Sequence, residues 1–284
     1  MALFERGQLG SDAFSFEQTG TLHAARTDEN VAAVRSLGSD LASLSVETEW
    51  LDPAALGRYD LAPDELGGGL FLPEDGVLDP TEILQHHGDT LADGGHVVQT
   101  ATAVTDIVVE DGVVTGVETT AGYDTVNVVI NAAGPWAPRL SDCTGVSLPI
   151  RHTEGPILVL QSETPVSLPL TFFEEGIYLR QEGAVRALAG RMDTDYEGAT
   201  ELDPDEARRP EEQFLNGWTG LRTVTPDGLP IVDETRVDGY VVACGMNGFG
   251  VTYAPAIGAL VAELLSREEK SDLLSVLSLD RLRG

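Results

Sequence analysis

A short apolar run, a turn carrying three glycines and a long alanine-rich stretch follow one another near the end of this chain, and that succession admits few folds. Residues 240–265 read YVVACGMNGFGVTYAPAIGALVAELL. Tyr240–Cys244 suits a buried strand, and the segment from near Thr252 onward has the composition and length of a helix. Between them Gly245, Gly248 and Gly250 open backbone conformations closed to other residues, so strand and helix join through a tight turn. Such a turn lets main chain come close to a planar ligand, and the unpaired N–H groups at the helix start carry partial positive charge. A merely compact strand-to-helix joint has the same appearance, so the turn alone leaves both readings open.

Two upstream segments bear on the choice. Residues 217–232, GWTGLRTVTPDGLPIV, precede the turn, and VVINAAGPWAPRL at 128–140 offers a strand ending in the small residues Ala132, Ala133 and Gly134. Small side chains there allow a nucleotide close to the backbone, though they are also ordinary packing at a strand end of an open sheet.

The rest of the chain supplies the frame. GTLHAA at 20–25 reads as a strand, and Thr27 caps a helix with apolar positions Val31, Val34, Leu37, Leu41 and Leu44. Strands are expected at 46–51 and 69–73. Asp79-Pro80-Thr81-Glu82 starts a helix that runs to about Leu91 and stops at Gly94-Gly95. Strands come next at 96–100, 103–109 and 113–119, the last two flanking an Asp111-Gly112 hairpin turn. The β-branched run at 126–130 predicts a central strand buried on both faces. Further strands are expected at 150–160, 176–180 and 184–190, a charged helix over 203–214, and a short helix after Arg267.

Charge narrows the setting. The chain carries a net charge of −30 with 47 acidic residues against 17 basic ones, and Lys270 is its only lysine. Carboxylates in such excess suit a cytoplasm of concentrated salt, where the Debye length falls to roughly 3 Å and self-repulsion is screened. A halophilic source and a cytoplasmic location are therefore expected, and nucleic acid is disfavoured as a partner. Cys143 and Cys244 are isolated, with no metal-ligand spacing, and suit a reducing compartment. The start, MALFERGQLGSD, lacks the apolar run of a signal peptide, and 240–265 is too interrupted by Asn247, Pro255 and Glu263 to span a membrane.

Taken together, 217–265 and VVINAAGPWAPRL resemble the flavin-binding elements of the D-amino-acid oxidase and glycine oxidase family, and the resemblance runs from about Glu17 to Leu265. It implies a mixed α/β fold in which a Rossmann-like FAD domain (74–145 and 223–268) is interleaved with an antiparallel-sheet substrate domain (13–73 and 146–222), leaving 269–284 as a C-terminal tail. It implies non-covalent FAD, contacted by Val104, Ala132, Ala133, Gly134, Trp136 and Gly220, and by Gly245, Met246, Asn247, Gly248, Phe249, Gly250, Val251 and Thr252. At Val104 only the backbone would meet adenine, and its side chain is expected in the core. Met246-Asn247 stand where sarcosine-oxidase-like members carry the cysteine that attaches flavin.

The implied reaction is oxidation of the Cα–N bond of an amino acid or an N-alkyl glycine, by hydride transfer to flavin and without a side-chain base. Arg222 would bind the substrate carboxylate through its planar fork, with a structural salt bridge to one of the many acids as the alternative. Tyr178 and Arg180, one face of a strand, would line the pocket; core or surface roles suit them equally. Dioxygen or an electron-transfer carrier would reoxidise the flavin, and a homo- or hetero-oligomer is possible. A flavin-dependent 2-hydroxy-acid or glycerol-phosphate dehydrogenase stays open, as does a non-catalytic subunit. The family places a βαβ unit of about 30 residues with the pyrophosphate loop at its front, and no G-x-G-x-x-G follows a strand here. The expectation is a misassigned start, a fragment or a loop supplied by a partner, and weak or absent flavin binding by the chain alone.

Three other features carry less. Asp193-x-Asp195-x-Glu197-Gly198 opens like a calcium loop but has Pro204 at its twelfth position. His86-His87 on the 80–91 helix has no metal-ligand spacing, the lone His152 reads as structural rather than catalytic, and Gly67-Gly68-Gly69 precedes a strand where a dinucleotide fingerprint would follow one.

Overall fold

The computed structural model describes residues 15–199, 203–205, 216–266 and 270–283. Most of the helix expected over 203–214 lies outside these residues. Two compact units are each assembled from separate segments: Met1–Asp89, Gly155–Asp193 and Pro210–Thr219 in the first, Thr90–Glu154, Thr194–Arg209 and Gly220–Gly284 in the second.

The chain opens with strands Phe16–Glu17 (β1) and Thr21–Ala25 (β2), helix Asp28–Ser43 (α1), strand Glu49–Leu51 (β3), the single turn Pro53–Leu56 (α2), strands Gly68–Leu72 (β4) and Val77–Leu78 (β5), and helix Pro80–Asp93 (α3). Val104–Glu110 (β6), Val113–Thr119 (β7), Gly122–Thr125 (β8), Val129–Asn131 (β9) and Ala137–Asp142 (α4) come next. After them run Arg151–Gln161 (β10), Leu170–Phe172 (β11), Ile177–Gln181 (β12), Arg186–Arg191 (β13) and Gly217–Val224 (β14). The last elements are Ile231–Glu234 (β15), Tyr240–Cys244 (β16), Gly250–Leu265 (α5) and Asp272–Leu277 (α6). Among the described residues no helix is long and apolar enough to cross a membrane.

The eight-stranded sheet has the order β14-β10-β13-β12-β11-β2-β4-β3, and the first unit holds all of it except residues 151–154 of β10 and 220–224 of β14. The pairs on either side of β11 differ in sense: β11 runs antiparallel to β12 and parallel to β2. The predominantly antiparallel pattern expected from the sequence thus contains a parallel step. Leu22, Leu51, Leu56, Leu66 and Phe71 form the core of this unit. Helix α1 begins where predicted, with Thr27 Oγ1 accepting the Asn30 amide at 3.3 Å. Its apolar stripe is shallower than the spacing suggests: Val31, Val34 and Leu41 are half-buried, Leu37 and Leu44 exposed, and Gly38 alone is buried. The reason is close approach through glycine, since a Cβ at Gly38 would come within 2.8 Å of Leu70 on β4. Helix α3 also starts as predicted, with Asp79 Oδ1 accepting the Thr81 amide at 2.8 Å.

The second unit holds two sheets, β15-β16-β9 and β6-β7-β8. All five residues of β16 are buried. Tyr240, Val242 and Cys244 pack with Ile107, Val114 and Ile231, while Val241 and Ala243 pack with Ile257 and Leu260 of α5 and Leu274 and Leu277 of α6. Successive side chains leave a strand on opposite faces, so β16 joins two cores. The hairpin at Asp111-Gly112 forms with φ of 52° and 84°, the paired positive values of a two-residue β-turn.

Two expectations fail here. Residues 96–100 form no strand, and Val97 is 82% exposed: without a neighbouring strand among the described residues there is no ladder for this backbone to join. The run at 126–130 is not a doubly buried central strand. Among the described residues strand β9 is the edge of its sheet, paired only with β16, and Val128 and Ile130 are 45% and 44% exposed.

Candidate functional site

The turn after β16 is held in a conformation few residues tolerate. Gly245, Asn247 and Gly248 have φ of 72°, 52° and 88°. At Gly245 the requirement is double, because a Cβ would also lie 2.5 Å from Thr225 Cγ2. Asparagine is the side chain that best tolerates the left-handed region, by bonding local backbone, and Asn247 does so at 3% exposure. Its Oδ1 accepts the Thr225 amide at 3.1 Å, its Nδ2 donates to the Gly245 carbonyl at 2.6 Å, and its own amide donates to the Thr223 carbonyl at 2.9 Å. The inner side of the turn is therefore locked, while Gly248, Val251 and Thr252 are exposed and Met246, Phe249 and Gly250 half-buried. No side chain caps the start of α5. Its first-turn amides keep their donors for something other than this helix.

The small-residue segment at 132–134 is organised by a hub that the sequence motifs do not announce. Asn131 Nδ2 donates to the Ala137 carbonyl at 2.9 Å and to Tyr240 Oη at 2.8 Å, and Asn131 Oδ1 accepts the Ala133 amide at 3.2 Å. Ser141 Oγ and Tyr240 Oη lie 2.6 Å apart. Burial pushes the Tyr240 phenol up, against the lowering effect of its bonds with Ser141 and Asn131. An asparagine closing the apolar run VVIN was the available signal, since a buried amide needs partners. Beyond the hub, Ala132 is exposed, and Gly134 has φ of 54° with nothing within 4 Å of an added Cβ. Trp136 Nε1 donates to Asp205 at 3.1 Å. Val104 opens β6 with its side chain 39% exposed, which corrects its expected place in the core.

Arg222 lies on β14, one residue before the Thr223 carbonyl that receives the Asn247 amide. Its Nη1 donates to the Glu154 carbonyl at 3.2 Å, and among the described residues it makes no ion pair. That leaves a half-buried fork with unused donors beside the turn. Gly220, two residues earlier, is exposed with open space at its Cβ position. The structure thus gathers the turn, Asn131 with its loop, Gly220 and Arg222 in the second unit. Tyr178 and Arg180 belong to the first unit. There the Tyr178 ring lies over Gly190 of β13, its cross-strand partner, and Arg180 pairs with Glu182 at 2.9 Å.

The residues of the second unit suit a flavin. Left-handed backbone without bulky side chains admits a flat ring edge, and uncapped amides at a helix start favour the negative charge that such a ring carries when reduced. Met246 and Asn247 offer no nucleophile for covalent attachment.

Comparison with known proteins agrees. The family described as DAO, FAD dependent oxidoreductase, matches residues 2–264. Glycine oxidase of Geobacillus kaustophilus (strain HTA426) is 28% identical, over 98% of this chain and 78% of its own length. D-amino acid dehydrogenase of Methylobacterium sp. (strain 4-46) is 30% identical, over 92% of this chain and 66% of its own length. The structure of L-proline dehydrogenase from P. horikoshii superposes with a TM-score of 0.82 at 23% identity, covering 95% of this chain and 78% of that one, a likeness of fold. With the family matched over most of its length, the chain belongs to the DAO family of FAD-dependent oxidoreductases.

Proposed function

We propose that the second unit binds FAD without a covalent bond and that the protein oxidises the Cα–N bond of an amino acid or an N-alkyl glycine. One observation carries this reading: the locked turn at Gly245–Gly250 presents open helix-start amides, and Arg222, with donors to spare, sits one residue from the carbonyl that anchors Asn247. FAD, when bound, supplies the two-electron chemistry. The residues of the chain orient the partners. Arg222 grips the substrate carboxylate by its fork, the turn amides hold the electron-rich ring edge, and Ala132–Gly134 leave room for the nucleotide. Tyr178 and Arg180 line the substrate side. In this reading 74–145 and 223–268 are the flavin side and 13–73 with 146–222 the substrate side. Dioxygen or an electron carrier takes the electrons onward, in a salt-rich cytoplasm. The names of the relatives, glycine oxidase and D-amino acid dehydrogenase, support an amino-acid substrate.

The test is a titration with FAD at high salt, followed by anaerobic addition of a substrate panel at saturating FAD. Bleaching of the visible flavin band by amino acids or N-methylglycine, and not by 2-hydroxy acids or glycerol phosphate, is expected. Visible absorbance that stays with acid-precipitated polypeptide would refute non-covalent binding. No G-x-G-x-x-G follows a strand in the sequence, so weak binding is expected, and tight stoichiometric binding would show that loop to be dispensable.

A second reading draws on the exposed Val128 and Ile130 at the free edge of β9. An unpaired edge with apolar side chains is a template for another strand, and the occupant would be a chain carrying its own pyrophosphate loop. Co-purification of such a chain would favour the subunit role.

A further inference from the structure

The family match ends at residue 264, and the chain beyond it folds back on the candidate site. Leu274 and Leu277 of α6 enter the core on one side of β16, and Leu279 enters the core on the other. Asp233 Oδ2 secures the crossing by accepting the Leu279 amide at 2.8 Å and Ser278 Oγ at 2.9 Å. Arg281 then reaches the loop between β14 and β15. Its Nε donates to Asp227 Oδ2 at 2.7 Å and its Nη2 to Asp227 Oδ1 at 3.1 Å, a bidentate pair that holds the Asp227 carboxyl below the usual carboxylate range. Nη2 also donates to the Leu229 carbonyl at 2.8 Å. That carbonyl accepts Thr225 Oγ1 at 2.9 Å, Thr225 Oγ1 accepts Asn247 Nδ2 at 3.2 Å, and Asn247 Nδ2 donates to the Gly245 carbonyl at 2.6 Å. An unbroken path of hydrogen bonds therefore joins a residue beyond the family match to the first residue of the turn. Arg283, two residues further on, pairs with Asp280 on its own turn.

We propose that Arg281 is a positioning residue for the turn Gly245–Gly250, acting through Leu229, Thr225 and Asn247. The geometry of the path stands alone; its service to FAD rests on the reading given under Proposed function. Bonds in such a network polarise and align one another, so removing one end loosens the other.

The test is hydrogen–deuterium exchange of the full chain without FAD, resolved across the second unit and most finely over residues 240–264. Arg281→Lys keeps a cation for Asp227 and loses the planar fork that also meets Leu229. Thr225→Val keeps the shape and removes the middle link. Each is expected to speed exchange at 245–250 roughly tenfold, about what one lost hydrogen bond gives, with exchange at 257–264 unchanged. The two together should add nothing further, and Arg283→Gln should change nothing. Unchanged exchange at the turn in either variant, effects that multiply in the double variant, or uniform acceleration across the second unit would overturn the proposal. If Arg281→Lys does not fold, Thr225→Val and Asp227→Asn decide the matter: loosening confined to the turn in both supports the path, and its absence in either overturns it. FAD titration of the same proteins separates the two readings. Exchange that responds as stated in a chain that binds no FAD keeps the path and removes the flavin; FAD binding with an unresponsive turn does the reverse.

Discussion

Arg222 illustrates what a guanidinium does that an ammonium cannot. The Glu154 carbonyl engages one of its nitrogens at 3.2 Å, which orients the fork and leaves other donors for a carboxylate. Lysine keeps the charge and loses the fork. Arg222→Lys is expected to raise KM for carboxylated amines by about 10- to 100-fold with little change in kcat, the signature of binding that is equal in ground and transition states. Equal falls in kcat and kcat/KM would instead put Arg222 in the chemical step. Cys244 makes a prediction about pH. Burial pushes its thiol up to about 12, above the unfolded value of about 8.5. A raised folded pKa contributes stability that is complete below the unfolded pKa and is lost as pH rises through the folded one. Between about pH 8.5 and 12 the native state should lose up to about 1.4 kcal/mol per unit from this thiol. Urea melts across that window should show a shallower loss for Cys244→Ala; parallel curves would mean that the thiol ionises as freely folded as unfolded.

At the scale of elements, two glycines separate backbone strain from packing. Gly134 has φ of 54° and open space where a Cβ would go, whereas Gly245 has φ of 72° and Thr225 Cγ2 at 2.5 Å. Gly134→Ala should cost about 1 kcal/mol, the left-handed penalty alone. Gly245→Ala should cost roughly 2–4 kcal/mol, because the β16–α5 joint must also move. Denaturant melts check this, and equal costs would remove the packing argument. The same joint shows why part of the molecule could be read from its sequence. Glycine spacing and an apolar run encode a strand, a turn and a helix locally, so β16 and α5 were legible. The run at 126–130 misled because β-branched residues report a liking for extended backbone, not how many neighbours a strand will have, and β9 has one. The pairing of Arg281 with Asp227, 54 residues apart in sequence, leaves no periodic trace, and neither does the meeting of Asn131 with Tyr240. Such links exist only once the sheet has brought them together, which is why the site's backbone could be anticipated and the hydrogen bonds holding it could not.

The whole molecule carries its charge as a global stress. Net charge is −30, and the chain's cations are almost all arginines. They do little to relieve it through exposed pairs: Arg139 with Asp205 is 73% and 59% exposed, and Arg283 with Asp280 is 48% and 73%, and exposed pairs contribute about 0–1 kcal/mol each. Repulsion among carboxylates should therefore be relieved mainly by dissolved ions. Thermal melts in rising KCl are expected to show a midpoint that climbs steeply at first. Most of that screening gain should come below about 1 M, where the Debye length has already shortened to about 3 Å. Exclusion of salt from the protein surface strengthens apolar burial and continues to grow with concentration, so the two contributions separate in the shape of the curve. A midpoint independent of KCl would mean that the carboxylates do not strain the fold. A strictly linear rise with no steep early phase would assign the effect to salt exclusion and remove self-repulsion as a reason to expect a salt-rich setting for this chain.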